Sequence, residues 1–479
     1  MSEDGKSTLL ARRQFLRGAG ATTLAAGLSA HARLVGAAST SDSGETLYDY
    51  DVLVIGGGFA GVTAARDLKK DGYGCAILET RNRLGGRTHY VPLGDTHVEL
   101  GGTWIHWMQP FVWAEVMRYG LEIKETPGAA AERIIQLQGG KAVELDLGQL
   151  YGDLFVGGQG LIDRSRLVWP RPFDAGFNMQ GILNADTDSI EDLLNALELT
   201  DSQRALYARL LGGGTSARLK DVSANEALRI MALCGHNVGS YYDVNARYQL
   251  MDGSIALINK MIEDGKPEIK LNTHVKRIEQ KADHVFVSTV SGEVISAAAV
   301  VCTIPLNVLK DVEFVPEIHP HKLAASKEGH PGRGFKVFAA VNGRVPNVLL
   351  YGDKGDAIEE AFAYHIGDDS SLIACFGHEQ SKTDIYNEEY LQATLRKYLP
   401  DLEITGSMGY PWVGDPFAQG TWCTWRPDWY RKYRDGLRDG PEGRVFFASS
   451  DFCEGSRGYI DGAVGSGIKA AQQIKETLA

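Results

Sequence analysis

Cysteine is scarce and scattered. Six occur in 479 residues, Cys75, Cys234, Cys302, Cys375, Cys423 and Cys453, and no two form a CxxC pair. That excludes a disulfide framework and a zinc ribbon, and all six are read as thiols. The 12 histidines are equally dispersed. No Ser-His-Asp or metal-ligand spacing stands out, so hydrolase and metalloenzyme readings have nothing to rest on and no metal is expected. Positive charge is in deficit, 49 basic against 61 acidic residues for a net −12, and such a surface repels phosphate polymers, so nucleic acid is not an expected partner. Heptads and internal repeats are missing. Proline is low at 16 while glycine reaches 56. Glycine in that amount points to many tight backbone passages, of which contact with a ligand is one use. With 44% hydrophobic and 23% charged residues the chain is long enough for about three lobes around a large core.

The N-terminus reads Ala11-Arg12-Arg13-Gln14-Phe15-Leu16-Arg17, then a Gly/Ala/Thr/Leu run to Ala30 and small residues through Ala38. Residues 1–38 read as a twin-arginine signal peptide, cleaved after Ala32 or near Ala37, with 39–49 as a linker. The apolar stretch is short of the ~20 residues a permanent anchor needs. Periplasmic localisation without a stable membrane anchor is therefore expected. Removing the segment leaves a net charge of −15. The route carries folded cargo, which suits a tightly held cofactor.

The apolar run Tyr50-Asp51-Val52-Leu53-Val54-Ile55 ends in Gly56-Gly57-Gly58-Phe59-Ala60-Gly61, and helical composition follows to Lys70. This G-x-G-x-x-G turn of a βαβ unit sets a helix N-terminus and close backbone against a pyrophosphate. A second apolar run, Cys75-Ala76-Ile77-Leu78, ends in Glu79, at the right distance for a carboxylate that accepts a ribose hydroxyl. Next comes Arg81-Asn82-Arg83-Leu84-Gly85-Gly86-Arg87, a second glycine turn that a nicotinamide-binding domain has no use for. Arg83 and Arg87 carry fixed positive charge of the kind a phosphate rewards.

That segment resembles the Gly-Gly-Arg motif of the flavin amine oxidase family, and further stretches match it in order: Val98-Glu99-Leu100-Gly101-Gly102-Thr103-Trp104, His274-Val275-Lys276-Arg277-Ile278, Val300 to Pro305, Gly443 to Asp451, and Gly458-Tyr459-Ile460-Asp461-Gly462. The words GGTWIHWMQP, DPFAQGTWCTWRP and IDGAVGSG are similar to bacterial nicotine and pseudooxynicotine amine oxidases. The resemblance implies an α/β (α+β) fold: a discontinuous Rossmann-like FAD-binding domain over 50–120, 240–306 and 420–479, and a substrate domain over 121–239 and 307–419 with a mixed sheet and capping helices. Ser189 to Leu211 and Val222 to Cys234 have near-helical apolar spacing, while Lys336 to Val341 and Leu372 to Phe376 suit the sheet.

The resemblance also assigns roles. Gly56, Gly58, Phe59, Ala60, Gly61, Glu79, Arg81, Gly86, Arg87, Gly101, Gly102, Thr103, Trp104, Val275, Asp451, Tyr459 and Ile460 would hold FAD, with Asp451 at the ribityl chain. Trp422 and Tyr459 would be the two aromatic walls that guide the amine, in place of the common Tyr/Tyr pair. Lys336 would hold a water at flavin N5. Thr421 stands where covalently linked relatives have cysteine, so FAD is expected to be non-covalent. His106 could line the pocket or serve structure. The implied activity is FAD-dependent oxidation of a secondary or primary amine with an aromatic or heteroaromatic tail to an imine, which hydrolyses to a carbonyl and an amine. Oxygen or a periplasmic cytochrome would take the electrons, and a homodimer stays open. The alternatives are an L-amino-acid oxidase, disfavoured because Thr103 to Pro110 offers no arginine for a substrate carboxylate, a polyamine oxidase, or a non-catalytic flavin-binding protein.

Overall fold

The computed structural model describes residues 48–479 except 354, 379–383, 385 and 439; the expected signal segment and most of the linker lie outside the described residues. Short, almost uninterrupted apolar runs become buried parallel strands, since both faces must be covered. Tyr50–Ile55 lies between Cys75–Leu78 and Val294–Cys302, parallel to both, with Ile55 level with Leu78 and Cys302. Glu268–Lys270 extends this parallel core beyond Cys75–Leu78, and Val445–Phe447 joins it beside Val294–Cys302. The core is thus assembled from three widely separated stretches of chain, 50–78, 268–302 and 445–447. An antiparallel flank, Val275–Gln280 with Val285–Thr289, completes a nine-stranded sheet together with Glu313–Val315 and Gly440–Glu442. Glu313–Val315 carries this sheet past residue 306, where the sequence reading ended its middle segment.

The helix Phe59–Lys70 follows the glycine turn and packs with Ser254–Gly265 and the C-terminal helix Ile460–Leu478 in one buried cluster with Val52, Val54 and Ile77. A Cβ placed on Gly61 would come within 2.0 Å of the Gly56 carbonyl oxygen. Only glycine lets the first turn of this helix close onto the strand.

The second sheet has seven strands, in the order Ile404–Gly409, Phe335–Asn342, Ser370–Gly377, Glu360–Ile366, Val348–Tyr351, Arg133–Gln138 and Lys141–Glu144. It is mixed, as expected: Val348–Tyr351 runs parallel to Arg133–Gln138 and the other pairs are antiparallel. The two runs singled out in the sequence are direct neighbours, with Lys336 opposite Phe376.

The expected helices are present, but the first is broken. Ile190–Asn195 and Asp201–Thr215 are separate, each opened by a capping box, from Ser189 to Asp192 and from Thr200 to Gln203. Leu147–Val168, 22 residues long, is a helix that the sequence reading missed because glycines at 148, 152, 157, 158 and 160 argue against one. Three of them serve packing: a Cβ on Gly158 would meet the Tyr207 hydroxyl at 2.3 Å, one on Gly157 the Gln203 side chain at 3.0 Å and one on Gly160 Leu197 at 2.9 Å. Among the described residues no helix is long and apolar enough to cross a membrane.

Candidate active site

A cavity of about 330 Å³ runs from the glycine turn of the first sheet to the Phe335–Asn342 and Ser370–Gly377 strands of the second. Both glycine motifs, the Glu79 turn and the C-terminal helix start converge on one end. Gly56, Gly58, Phe59, Ala60, Glu79, Arg81, Gly86, Arg87, Gly101, Gly102, Thr103, Trp104, Val275, Tyr459 and Ile460 all line it, as do Lys336 and Trp422. Of the residues assigned in the sequence, Gly61 and Asp451 do not.

The packing of these two is plain. Gly61 faces the Gly56 carbonyl and serves packing between helix and strand. Asp451 is fully buried behind the wall. Its Oδ1 accepts from Arg87 at 2.6 Å and its Oδ2 from the Leu306 N–H at 2.9 Å. Both oxygens are therefore engaged by the protein itself, and the Arg87 charge helps hold this carboxyl below its usual range although burial alone would raise it. Arg83 likewise turns inward, donating to the Thr88 carbonyl at 2.9 Å and the Gly86 carbonyl at 3.2 Å. His106 is structural: its Nε2 lies 3.1 Å from Asp243 and its Nδ1 accepts from the Met108 N–H.

At the glycine end, Glu79 accepts from the Gly57 N–H at 2.7 Å and from the Arg81 N–H at 2.8 Å, which fixes its carboxylate at the strand end. Arg81 pairs with Asp415 at 2.7 Å, and Arg87 also donates to the Thr421 carbonyl. The helix beginning at Phe59 has no side-chain cap on its N-terminal N–H groups. Thr80 Oγ1 and Gln109 Oε1, both on the cavity wall, are buried without a hydrogen-bond partner. Unpaired buried polar atoms on a wall that also includes an open helix N-terminus fit a large polar ligand with a phosphate group.

The other end is aromatic. Trp104 tilts against Phe362 and Phe376 with ring centroids 5.8 and 5.9 Å away, and Phe362 stacks on Phe376 at 5.5 Å. Trp422 Nε1 donates to the Gly214 carbonyl at 3.1 Å, and the Tyr459 hydroxyl donates to Asn245 Oδ1 at 2.8 Å. Each expected wall is thus oriented by a hydrogen bond at its polar edge. Between the two ends sits Lys336, whose Nζ donates to the Gly101 carbonyl and to Thr103 Oγ1, both at 2.6 Å. Burial pushes this amine down to about 7, with Glu99 pulling it back up.

The sequence reading missed Glu360, Asn245, Tyr242, Phe335, Phe362 and Phe376, all of which line the cavity. For Glu360 the usable signal was the one that picks out Lys336, a charge at the head of an apolar strand. Burial raises this carboxyl to about 7. No cysteine lines the cavity: Cys423 is fully buried, with its Sγ 3.9 Å from the Thr424 and Asp451 carbonyl oxygens.

Comparison with known proteins gives this geometry its family. Residues 59–475 match the model of the flavin containing amine oxidoreductases. The chain belongs to that family. A pseudooxynicotine dehydrogenase from a Pseudomonas species is 36% identical over 490 aligned positions, which cover 100% of this chain and 97% of that relative. A nicotine dehydrogenase from Pseudomonas putida is 31% identical, covering 90% of this chain and 89% of the relative. In fold, this flavin amine oxidoreductase is similar to the wild-type putrescine oxidase bound to putrescine, with TM-score 0.77 and 19% identity over 89% of this chain and 99% of that one. It is likewise similar to the cyclohexylamine oxidase of Brevibacterium oxydans, with TM-score 0.76 and 19% identity over 90% and 99%. The family implies a flavin, and the unpaired Thr80 atom, the Glu79 carboxylate and the Phe59 helix start are the groups at the glycine end of the cavity that suit one.

Proposed function

We propose that this enzyme oxidises a secondary or primary amine bearing an aromatic or heteroaromatic tail, of the nicotine or pseudooxynicotine kind, to an imine that water then splits into a carbonyl compound and an amine. The observation that carries the reading is the aromatic end of the cavity, where Trp104, Phe362, Phe376, Trp422 and Tyr459 supply an aromatic wall for a flat tail and Lys336 lies 5.1 Å from the Trp104 ring. Relatives named for pseudooxynicotine and nicotine support it. A flavin bound there supplies the acceptor for the hydrogen and electron pair leaving the carbon next to nitrogen. The protein's own part is to hold the amine between ring faces, exclude water and keep the nitrogen unprotonated.

FAD held without a covalent bond is part of the same proposal, supported by the cysteine-free wall and by Thr421 in place of a linking thiol. An amino-acid substrate is disfavoured because both wall arginines already have carboxylate partners, Arg81 with Asp415 and Arg87 with Asp451. Glu360 keeps a diamine as the second reading, since a carboxylate at the aromatic end would receive a second ammonium group. Export of the folded holoprotein to the periplasm, with oxygen or a cytochrome there as the electron acceptor, completes the proposal and rests on the Arg12-Arg13 segment. The test is anaerobic mixing of flavin-loaded protein with nicotine, pseudooxynicotine, their hydroxylated forms, and simple mono- and diamines. Bleaching by the pyridine-bearing amines first and fastest is the expected result. A flavin that no amine bleaches would overturn the reading in favour of a flavin-binding protein without amine oxidase activity.

A further inference from the structure

Glu360 begins the strand Glu360–Ile366 and reaches the aromatic end of the cavity beside Gly213, where a Cβ would meet its Oε2 at 3.4 Å. Among the described residues, the two acidic side chains on the cavity wall are Glu79 and Glu360. Glu79 is bound by the Gly57 and Arg81 N–H groups, whereas Glu360 has no ion pair among the described residues. The groups that face it are few. Tyr242, on the turn before Tyr248, and Tyr351, on the neighbouring strand, share a 2.8 Å hydrogen bond, and Tyr241 lies beside Tyr242. Arg209, from the helix Asp201–Thr215, sits 5.6 Å from the Tyr351 ring. Glu359 precedes it in the chain and pairs with His378 at 2.6 Å. Burial and the Glu359 charge raise its carboxyl to about 7, and Tyr242 acts in the opposite direction.

A second, smaller cavity of about 20 Å³ adjoins the first. By the same measure a single water needs roughly 10–15 Å³, so this space takes about one. Its wall includes Arg209, Glu359 and His378, and it shares Gly213, Phe335, Glu360, Phe376 and Trp422 with the main cavity. Glu360 therefore has the aromatic site on one side and, on the other, a water-sized space that ends at a partly exposed Glu359–His378 pair.

We propose that Glu360 is the base that takes the proton from the incoming substrate ammonium, and that the small cavity passes this proton outward to the Glu359–His378 pair. The proposal rests on the amine oxidase reading above. Amines of this class reach the protein as ammonium ions, and the carbon next to nitrogen gives up its hydrogen only from the free amine. R2NH2+ and the Glu360 carboxylate become R2NH and the Glu360 carboxylic acid: one N–H bond breaks, one O–H bond forms and no electrons move. Desolvation drives both partners toward this exchange, because it lowers the ammonium and raises the carboxyl until they are matched. Lys336 is placed for a different task, with its amine already donating to Gly101 and Thr103.

The test compares wild type with Glu360→Gln and Glu360→Asp, all loaded with flavin, in anaerobic reduction across pH. Wild type is expected to lose rate as pH falls through about 7, the value to which the carboxyl is raised. Glu360→Gln should shift that limb alkaline by more than one pH unit and lose on the order of 100-fold at pH 7 with a strongly basic amine. A fluorinated analogue that is already neutral at pH 7 should lose little, and Glu360→Asp should retain the limb. A limb unchanged in Glu360→Gln would assign it to Lys336 and overturn the proposal. Equal losses with both amines would make Glu360 a binding group only, which also overturns it. A readout without turnover uses an amine that has no hydrogen on the carbon next to nitrogen, labelled with carbon-13 there. Bound at pH 8, its signal should be that of the free amine in wild type and of the ammonium in Glu360→Gln; the ammonium signal in both overturns the proposal. Should no amine bleach the wild-type flavin, the amine oxidase reading fails, and this binding measurement still decides the fate of Glu360.

Discussion

Arg87 and Asp451, 364 residues apart in the chain, form an ion pair of 2.6 Å behind the cavity wall. The pair ties the second glycine turn to the segment before the C-terminal helix, so it belongs to the shape of the site. Asp451→Ala would leave a largely buried guanidinium without its partner and the Leu306 N–H without an acceptor. Losing one partner of a buried pair costs about 3–5 kcal/mol, and the partial exposure of Arg87 lowers the expectation to ~2–3 kcal/mol. Urea unfolding should show this as a lower midpoint. Because the folded-state pKa of Asp451 is depressed, its stabilisation is present above the ordinary carboxylate range and is lost as pH falls through and below that range. The gap between wild type and variant should therefore narrow at acid pH.

Lys336 has the opposite linkage. Its folded-state pKa, near 7, lies below the ordinary lysine value, so the unfolded chain binds the extra proton between about pH 7 and pH 10. Wild-type stability should rise across that window relative to Lys336→Met, by at most about 1.4 kcal/mol per pH unit. Paired urea titrations at pH 7 and pH 10 measure it. The methionine variant should keep its flavin and slow its reduction or reoxidation. Full activity together with a flat stability difference would reduce the lysine to a packing role.

The aromatic walls give a sharper expectation. Trp422→Ala and Tyr459→Ala should each lose about 2–4 kcal/mol of transition-state stabilisation, roughly 30- to 1,000-fold in kcat/KM, with flavin content retained. The double variant should lose less than the sum, because an amine released by one wall gains little from the other. Tyr459→Phe keeps the ring and gives up only the hydrogen bond to Asn245, so it should be the mildest. Near-normal kcat/KM in both alanine variants would move the substrate toward Trp104 and Phe376.

Acid precipitation of the holoprotein should release yellow flavin into the supernatant, since no cysteine reaches the cavity wall. Flavin that stays in the pellet would contradict the non-covalent reading.

Replacing Arg12 and Arg13 by lysine should leave active protein in the cytoplasm. Cell fractionation with an amine-reduction assay checks this, and unchanged periplasmic activity would count against a twin-arginine signal.

What the sequence made legible was local chemistry. The Gly56 turn, Glu79 at a strand end and Lys336 at the head of an apolar run each carry their signal within a few residues, and the cavity includes all three. The partners of Asp451 were not legible, because a motif gives a residue's position along the chain and not the direction of its side chain, which Arg87 and Leu306 decide across hundreds of residues. Glu360 carries the same local signal as Lys336, a charge at the head of an apolar strand, but its surroundings, Gly213 and Tyr242, come from other elements and do not show in the sequence. The helix Leu147–Val168 was illegible for a related reason: its glycines are unfavourable locally, and the use of Gly157 and Gly158 shows only against Gln203 and Tyr207.

The parallel core carries a consequence for timing. Its first strand, Tyr50–Ile55, is made early, yet Val445–Phe447 and the wall residues Tyr459 and Ile460 come last. During synthesis the cavity cannot close around anything until nearly the whole chain has left the ribosome. Flavin capture thus waits on the synthesis of Tyr459 and Ile460, and a chain cut short before them would have the first glycine turn but no closed cavity to hold the cofactor.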